Sequence, residues 1–393
     1  MQKILYHNGT VVLPDRICTG WDVATVDDRI TAVCPTGALP TEDGWSIWDC
    51  TGKYVSPGFI DLHTHGGGGH DFMDGTVEAF VGAASMHARH GTTAMCPTTL
   101  SGDPRETEQV CAVYREAKGK AECAFLGIHL EGPYFAVSQK GAQDEKYIRP
   151  PVRKEYEALL DACPDVVRWS AAPELDGGMA FGRVLSGRGV IPSIGHTDAD
   201  FDTAAEALHN GYSLITHLYS CMPGVHRKNA WRIAGTIEAA LYYDDFTVEI
   251  IADGCHLPPA LLKFIVKCKT TDRICLVTDS MRGAGMPDGD TILGSLTRGQ
   301  PAIIEDGVAK LPDRSAFAGS VATMDRLVRN MVTLANVPLY DAVKMASWNP
   351  ARVLGLSDRG KLAPDYVADV VVLDADLQVV SVLAGGKLRY STL

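Results

Sequence analysis

The chain has 393 residues, of which 46% are hydrophobic and 21% charged, so it carries enough apolar material for a large core and is not a disordered polypeptide. Its formal net charge of −12 excludes a broad nucleic-acid-binding face, because phosphate neutralisation needs clustered Lys and Arg. Eleven cysteines, an odd number with no C-x-x-C pair, exclude a disulfide framework and point to a reducing compartment.

Residues Met1–Asn8 carry no long apolar leader, and no apolar run reaches the length of a bilayer span. The expected location is the cytoplasm, with neither membrane nor nucleic acid as a partner. Residues 1–55 contain short β runs at Lys3–Tyr6, Trp21–Thr25 and Ile30–Val33, broken by Gly, Pro and Asp, and no strong helix. Eight apolar, β-rich runs follow: Tyr54–Leu62, Thr92–Thr98, Ala124–Leu130, Val166–Ala172, Val190–Gly195, Ser213–Leu218, Thr247–Ala252 and Ile274–Thr278. From His63 to Asp279 they recur about every 31 residues, close to the length of one βαβ unit. Their near-continuous apolar character fits parallel strands buried on both faces.

Helices fill the intervals. Thr76–His90 places Phe80, Ala83, Ala84 and Met86 at helical spacing and ends at Gly91. Asp103-Pro104 followed by Glu106 reads as an N-cap, a first-turn proline and an acidic third position. Eight strand–helix units predict an α/β fold built on a (β/α)8 barrel, with a doubly wound open sheet as the rival. Residues 290–316 read as a β-hairpin insertion after the eighth strand. The tail is β again at Ala368–Leu373 and Gln378–Leu383. Neither end makes a domain alone. The expected organisation is a small β-sandwich from residues 1–55 plus 363–393 beside a barrel over 56–362.

Five of the twelve histidines sit at the ends of predicted strands: His63, His65, His129, His196 and His217. His256 follows the seventh strand by a few residues, and Glu131, Asp253 and Asp279 also lie at strand ends. In a barrel these ends converge on one mouth, where active sites lie. His63-Thr64-His65 on a strand can aim both imidazoles inward. Taken singly, each residue also fits a turn, a cap or a packed core histidine. Together, Glu131, His196 and His217 make the two-nitrogen, one-oxygen set of a catalytic metal. Asp279 can move a proton between water and a leaving group, the alternative being an N-cap. The fourth strand has no lysine to bridge two ions, so Glu131 would have to do so. His7, His70, His87, His90 and His209 read as surface or packing residues.

His63-Thr64-His65 after Pro57-Gly58-Phe59-Ile60-Asp61, with Ser347-Trp348-Asn349-Pro350-Ala351 and Ala368-Asp369, resembles the amidohydrolase superfamily. More specific are His129-Leu130-Glu131-Gly132-Pro133, Lys140-Gly141-Ala142, Gly195-His196-Thr197, Thr216-His217-Leu218-Tyr219, Asp253-Gly254-Cys255-His256 and Thr278-Asp279. In order and spacing these are similar to the N-acetylglucosamine-6-phosphate deacetylase family over nearly the whole chain. The resemblance implies that Glu131, His196 and His217 hold the principal metal and that Asp279 is the catalytic base and acid. It implies a second ion at His63 and His65, bridged by Glu131, hence one or two ions per subunit. Zinc is the first expectation, and Fe, Mn or Co suit the same donors. Family substrate positions fall on Ala142, Gln143, Ser220, Cys221, Arg227, His256, Ala318 and Gly319, with Gln143 or His256 stabilising the oxyanion.

Three segments depart from the family pattern. Gln143 stands where His is frequent. Ser220-Cys221 replaces Asn-Ala. His226-Arg227-Lys228-Asn229-Ala230-Trp231-Arg232 replaces Arg-Glu-Pro-Gly, so Arg227, Lys228 and Arg232 all remain candidates for the phosphate. In the family that arginine comes from the neighbouring subunit, which implies a homodimer. The expected activity is metal-dependent deacetylation of N-acetylglucosamine 6-phosphate to glucosamine 6-phosphate and acetate, in amino-sugar catabolism. The alternatives are hydrolysis of another N-acyl amino sugar or N-acyl amino acid and, last, a barrel scaffold without catalysis.

Overall fold

A computed structural model describes residues 1–39 and 44–393. Eight parallel strands, in chain order Phe59–Thr64, Thr92–Pro97, Ile128–Glu131, Val166–Ala171, Ile191–Ile194, Leu214–Ile215, Thr247–Ile250 and Ile274–Leu276, form the barrel. Parallel bridging from Thr98 to His129 joins the second strand to the third. Closure between the eighth and first strands comes from Asp279 N–H donating to His63 O at 2.8 Å and His65 N–H donating to Ser280 O at 2.8 Å. The expected helices surround it. Val77–Ala88 starts at Thr76, whose hydroxyl caps Ala79 N–H, and Pro104–Ala117 starts at Asp103, whose carboxylate accepts from Arg105 N–H.

The fifth, sixth and eighth strands are shorter than the apolar runs suggest. Strand pairing ends where the backbone turns left-handed at His196 (φ 49°), His217 (φ 30°) and Asp279 (φ 47°). Non-glycine residues hold that conformation only when their surroundings enforce it, and such positions cluster at functional sites.

The two chain ends form the expected β-sandwich, and its eight strands are joined in one continuous hydrogen-bonded sheet. Its order runs 387–391, 379–384, 370–373, 54–57, 3–12, 17–26 and 29–35, with 46–49 also on 3–12. The long strand Lys3–Val12 pairs with 46–49 along its first half and with 54–57 along its second. Its register shifts around Gly9, where a Cβ would sit 2.7 Å from Val55 Cγ2. This sandwich encloses its own core, including Ile4, Tyr6, Val23, Val55, Val370 and Leu383.

The run expected as one strand from Tyr54 to Leu62 is two strands, divided at Gly58. Tyr54–Pro57 belongs to the sandwich and Phe59–Thr64 to the barrel. A Cβ at residue 58 would lie 2.1 Å from Thr93 Oγ1, so only glycine crosses there. The insertion after the eighth strand also differs from expectation. It has three antiparallel strands, Gly289–Leu293, Gln300–Glu305 and Val308–Lys310, rather than a single hairpin. Asp306 and Gly307, both at positive φ, make the tight turn that adds the third strand.

Candidate active site

The strand ends bring six of the predicted residues to one buried point. His63 Nε2 and His65 Nε2 lie 3.3 Å apart, and they approach Asp279 Oδ1 to 3.3 and 3.1 Å. On the other side, His217 Nε2 and His196 Nε2 lie 3.2 Å apart and approach Glu131 Oε1 to 3.1 and 3.4 Å. Glu131 joins the two groups, because His63 Nε2 and His65 Nε2 are each 3.3 Å from its carboxylate oxygens. Each group, His63–His65–Asp279 and Glu131–His196–His217, has its ligand atoms within 4.8 Å of one another.

The electrostatics favour a cation here. Burial works against charge on His63, yet Asp279 and Glu131 outweigh it and hold the imidazole pKa up at about 9. Burial likewise opposes charge on His65, and hydrogen bonds to Asp279 and Glu131 lift it to about 10. Burial alone would raise the Glu131 carboxyl, but the facing imidazoles hold it well below the usual range. Imidazole nitrogens pointing at one another across shared carboxylates are poor hydrogen-bond partners and good ligands. The donor set therefore fits a divalent metal with N/O preference.

Neighbouring residues fix the direction of these side chains. His196 Nδ1 meets Gln139 O at 2.8 Å, and Phe135 stacks on the His196 ring with centroids 4.3 Å apart. Gln143 Nε2 donates to Glu131 Oε2, and its Oε1 accepts from Ser101 N–H, both at 2.8 Å. Asp61 accepts from Thr278 Oγ1 at 2.5 Å and from Thr278 N–H at 3.2 Å, tying the first strand to the eighth below the site. Burial pushes the Asp61 carboxyl up to about 6.

Above the ligands opens a cavity of about 260 Å³. Of the substrate positions expected from the sequence, Ala142, Gln143, Ser220, Cys221, His256 and Gly319 line it. Ala318 is fully buried behind the wall. His256 Nδ1 meets Asp253 Oδ2 at 2.8 Å and its ring packs against Phe317, which leaves Nε2 as the free nitrogen. Arg227, Lys228 and Arg232 lie elsewhere, on an exposed hairpin formed by His226–Lys228 and Trp231–Ile233, and none lines this chain's own cavity. His129 ligates nothing in these groups. Its ring nitrogens go to Ser170 Oγ (2.7 Å) and Thr98 Oγ1 (3.2 Å).

Sequence reading missed Arg168 and Glu249, which are paired inside the barrel beneath the site. The signal was present as a single charge within each apolar strand run. It also missed the wall residues Leu100, Tyr219, Leu293 and Phe317, which are apolar or aromatic residues of ordinary appearance.

The amidohydrolase family model matches residues 54–389. N-acetylglucosamine-6-phosphate deacetylase of Lysinibacillus sphaericus is 36% identical over 87% of this chain and 87% of its own length. N-acetylgalactosamine-6-phosphate deacetylase of Escherichia coli O157:H7 is 33% identical over 91% of this chain and 99% of its own. A solved structure, a point mutant of the Mycobacterium smegmatis N-acetyl-D-glucosamine-6-phosphate deacetylase in complex with N-acetyl-D-glucosamine-6-phosphate, superposes with a TM-score of 0.90 at 32% identity, covering 100% of both chains. A barrel with histidines and carboxylates gathered at its strand ends, matched over this span, places the chain in the amidohydrolase family.

Proposed function

We propose that the chain hydrolyses the acetamide of N-acetylglucosamine 6-phosphate, releasing glucosamine 6-phosphate and acetate in amino-sugar catabolism. The observation that carries this reading is two adjacent ligand groups at the floor of a cavity, linked by Glu131, which lies 3.3 Å from His63 and His65, with Asp279 in one group and His256 on the wall. The relatives named above act on this class of sugar phosphate.

Glu131, His196 and His217 would hold one divalent ion, and His63, His65 and Asp279 a second, with zinc the proposed metal. Ions bound there supply a water of lowered pKa and positive charge for a carbonyl oxygen. A carboxylate is ionised near neutrality, so Asp279 can accept a proton. Asp279 takes the proton of the attacking water as the new C–O bond forms. It returns that proton to the sugar nitrogen as the C–N bond breaks. His256, fixed through Nδ1 by Asp253, presents Nε2 to the developing oxyanion or to the sugar.

The exposed hairpin with Arg227, Lys228, Arg232 and Trp231 (76% exposed) supports a homodimer in which one of these basic residues reaches the phosphate in the partner's cavity. All eleven cysteines are free, which supports a cytoplasmic location. Among the described residues no helix is long and apolar enough to cross a membrane.

A second reading, the galactosamine epimer as substrate, is favoured by the 33% identity to the Escherichia coli O157:H7 enzyme over 99% of that enzyme. Acetate release from the two N-acetylhexosamine 6-phosphates and from unphosphorylated N-acetylglucosamine, with metal quantified in the same sample, separates these. The expected result is fastest turnover of N-acetylglucosamine 6-phosphate. Faster turnover of the galacto epimer selects the second reading. A metal-loaded protein inactive on all three overturns both.

A further inference from the structure

Inside the barrel, below the ligands, lies an ion pair that packing does not explain. Arg168 stands on the fourth strand and Glu249 on the seventh, and both are fully buried. Stripping two charges of water costs about several kcal/mol per ion, and apolar residues of the same volume often serve stability as well or better. The partners show what the pair touches. Arg168 Nη1 also donates to Leu62 O at 3.1 Å, the carbonyl next to His63. Its Nη2 lies 3.4 Å from Thr216 Oγ1, next to His217, and 3.5 Å from Ser193 Oγ. One Glu249 oxygen is thus held by the guanidinium. The other, Oε2, lies 3.5 Å from His63 Nδ1.

Those last two atoms are both buried, and neither has a hydrogen-bond partner among the described residues. They face each other a few tenths of an ångström beyond hydrogen-bond distance. A metal-ligating imidazole needs its hydrogen on the nitrogen away from the ion, and a carboxylate at that nitrogen fixes both tautomer and ring direction. His63 has such a carboxylate. His65 Nδ1 and His217 Nδ1 are buried with no partner among the described residues.

We propose that Glu249, held in place by Arg168, is a positioning residue for His63, and that the pair thereby sets the occupancy of the His63–His65–Asp279 group without governing the Glu131–His196–His217 group. The inference rests on the two-ion reading above. Two variants test it. Glu249→Gln keeps the shape but offers one acceptor where two are needed. Arg168→Met/Glu249→Leu replaces both charges by apolar side chains, an exchange that buried pairs often tolerate.

Metal-free protein is titrated with Zn²⁺ and Co²⁺ against a competing chelator, with circular dichroism and thermal melting in parallel. The expected result is two ions in the wild type. In both variants one ion stays tight and the other weakens roughly 10–100-fold, the scale of second-sphere losses, with the fold intact. The Co²⁺ absorption of the weakened ion is expected to disappear first. Variants that bind both ions as tightly as the wild type overturn the assignment. So do variants that weaken both ions equally, because the pair would then act on the barrel as a whole. A wild type that takes only one ion refutes the two-ion reading itself, a separate and recognisable failure.

Discussion

Replacing Gln143 with leucine separates two roles that the residue could play in catalysis. Leucine is close to glutamine in volume but removes both polar contacts, the acceptor for Ser101 N–H and the donor to Glu131 Oε2, each at 2.8 Å. Ser101, Gln143 and Glu131 are 7%, 6% and 2% exposed, so water does not replace the lost partners freely. An unsatisfied buried N–H costs about 1–3 kcal/mol, and a hydrogen bond to a charged group contributes about 1.5–3 kcal/mol. The metal-free variant should therefore lose about 2.5–6 kcal/mol before any apolar gain from leucine. A lower urea midpoint at unchanged slope reads this loss. Because Gln143 holds Glu131, the carboxylate common to both ligand groups, metal affinity should also fall roughly 10–100-fold, measured by chelator competition. A variant that keeps the wild-type midpoint and metal affinity while losing only turnover would refute this reasoning. Gln143 would then act on the substrate alone, as its place in the family pattern implies.

Asp279→Asn should keep the ion at Glu131, His196 and His217 and lose about 10²–10⁴-fold in turnover, the usual worth of a positioned acid–base group; an active variant removes Asp279 from the mechanism. Lys269 gives a pH prediction remote from the site. Burial holds its pKa down at about 8, against about 10.4 in an unfolded chain. Between those values the unfolded chain binds more protons than the folded one, so this residue makes stability rise as pH increases from about 8 to about 10.4. A neutral amine retains two N–H groups, enough for the two carbonyls that Lys269 contacts, Ala240 O and Tyr243 O. Lys269→Met should flatten that rise when unfolding midpoints at about pH 7.5 and about pH 10 are compared with the wild type, and parallel profiles would disprove the account.

The barrel was readable from sequence because parallel strands buried on both faces are apolar throughout, and because their spacing is set by one helix and two turns. The candidate ligands were readable for a related reason. A histidine or carboxylate at the end of an apolar run has few structural uses, and His63, His65, Glu131, His196, His217 and Asp279 all occupy such ends. Strand lengths were not readable, because His196, His217 and Asp279 turn the backbone left-handed in ways that tertiary contacts impose. The division at Gly58 depends on Thr93, 35 residues further along. The commitment of Gln143 to Ser101 depends on a contact 42 residues back. Arg168 and Glu249 were passed over because a charge inside an apolar strand counts against burial unless its partner is known, and that partner lies 81 residues away.

The crossing at Gly58 has a consequence for biosynthesis. The strand Tyr54–Pro57 feeds straight into the strand carrying His63, and its antiparallel neighbour is Val370–Leu373, more than three hundred residues later. A ribosome adding roughly 5–20 residues per second needs about 15–60 s to deliver that neighbour. Throughout that interval Tyr54–Pro57 lacks its antiparallel partner, so the backbone donors and acceptors on that side are unpaired. In the finished sheet this edge is covered, and the outermost strands are 387–391 and 29–35. The last strands to be made are thus the ones that cover the edge left open along Tyr54–Pro57.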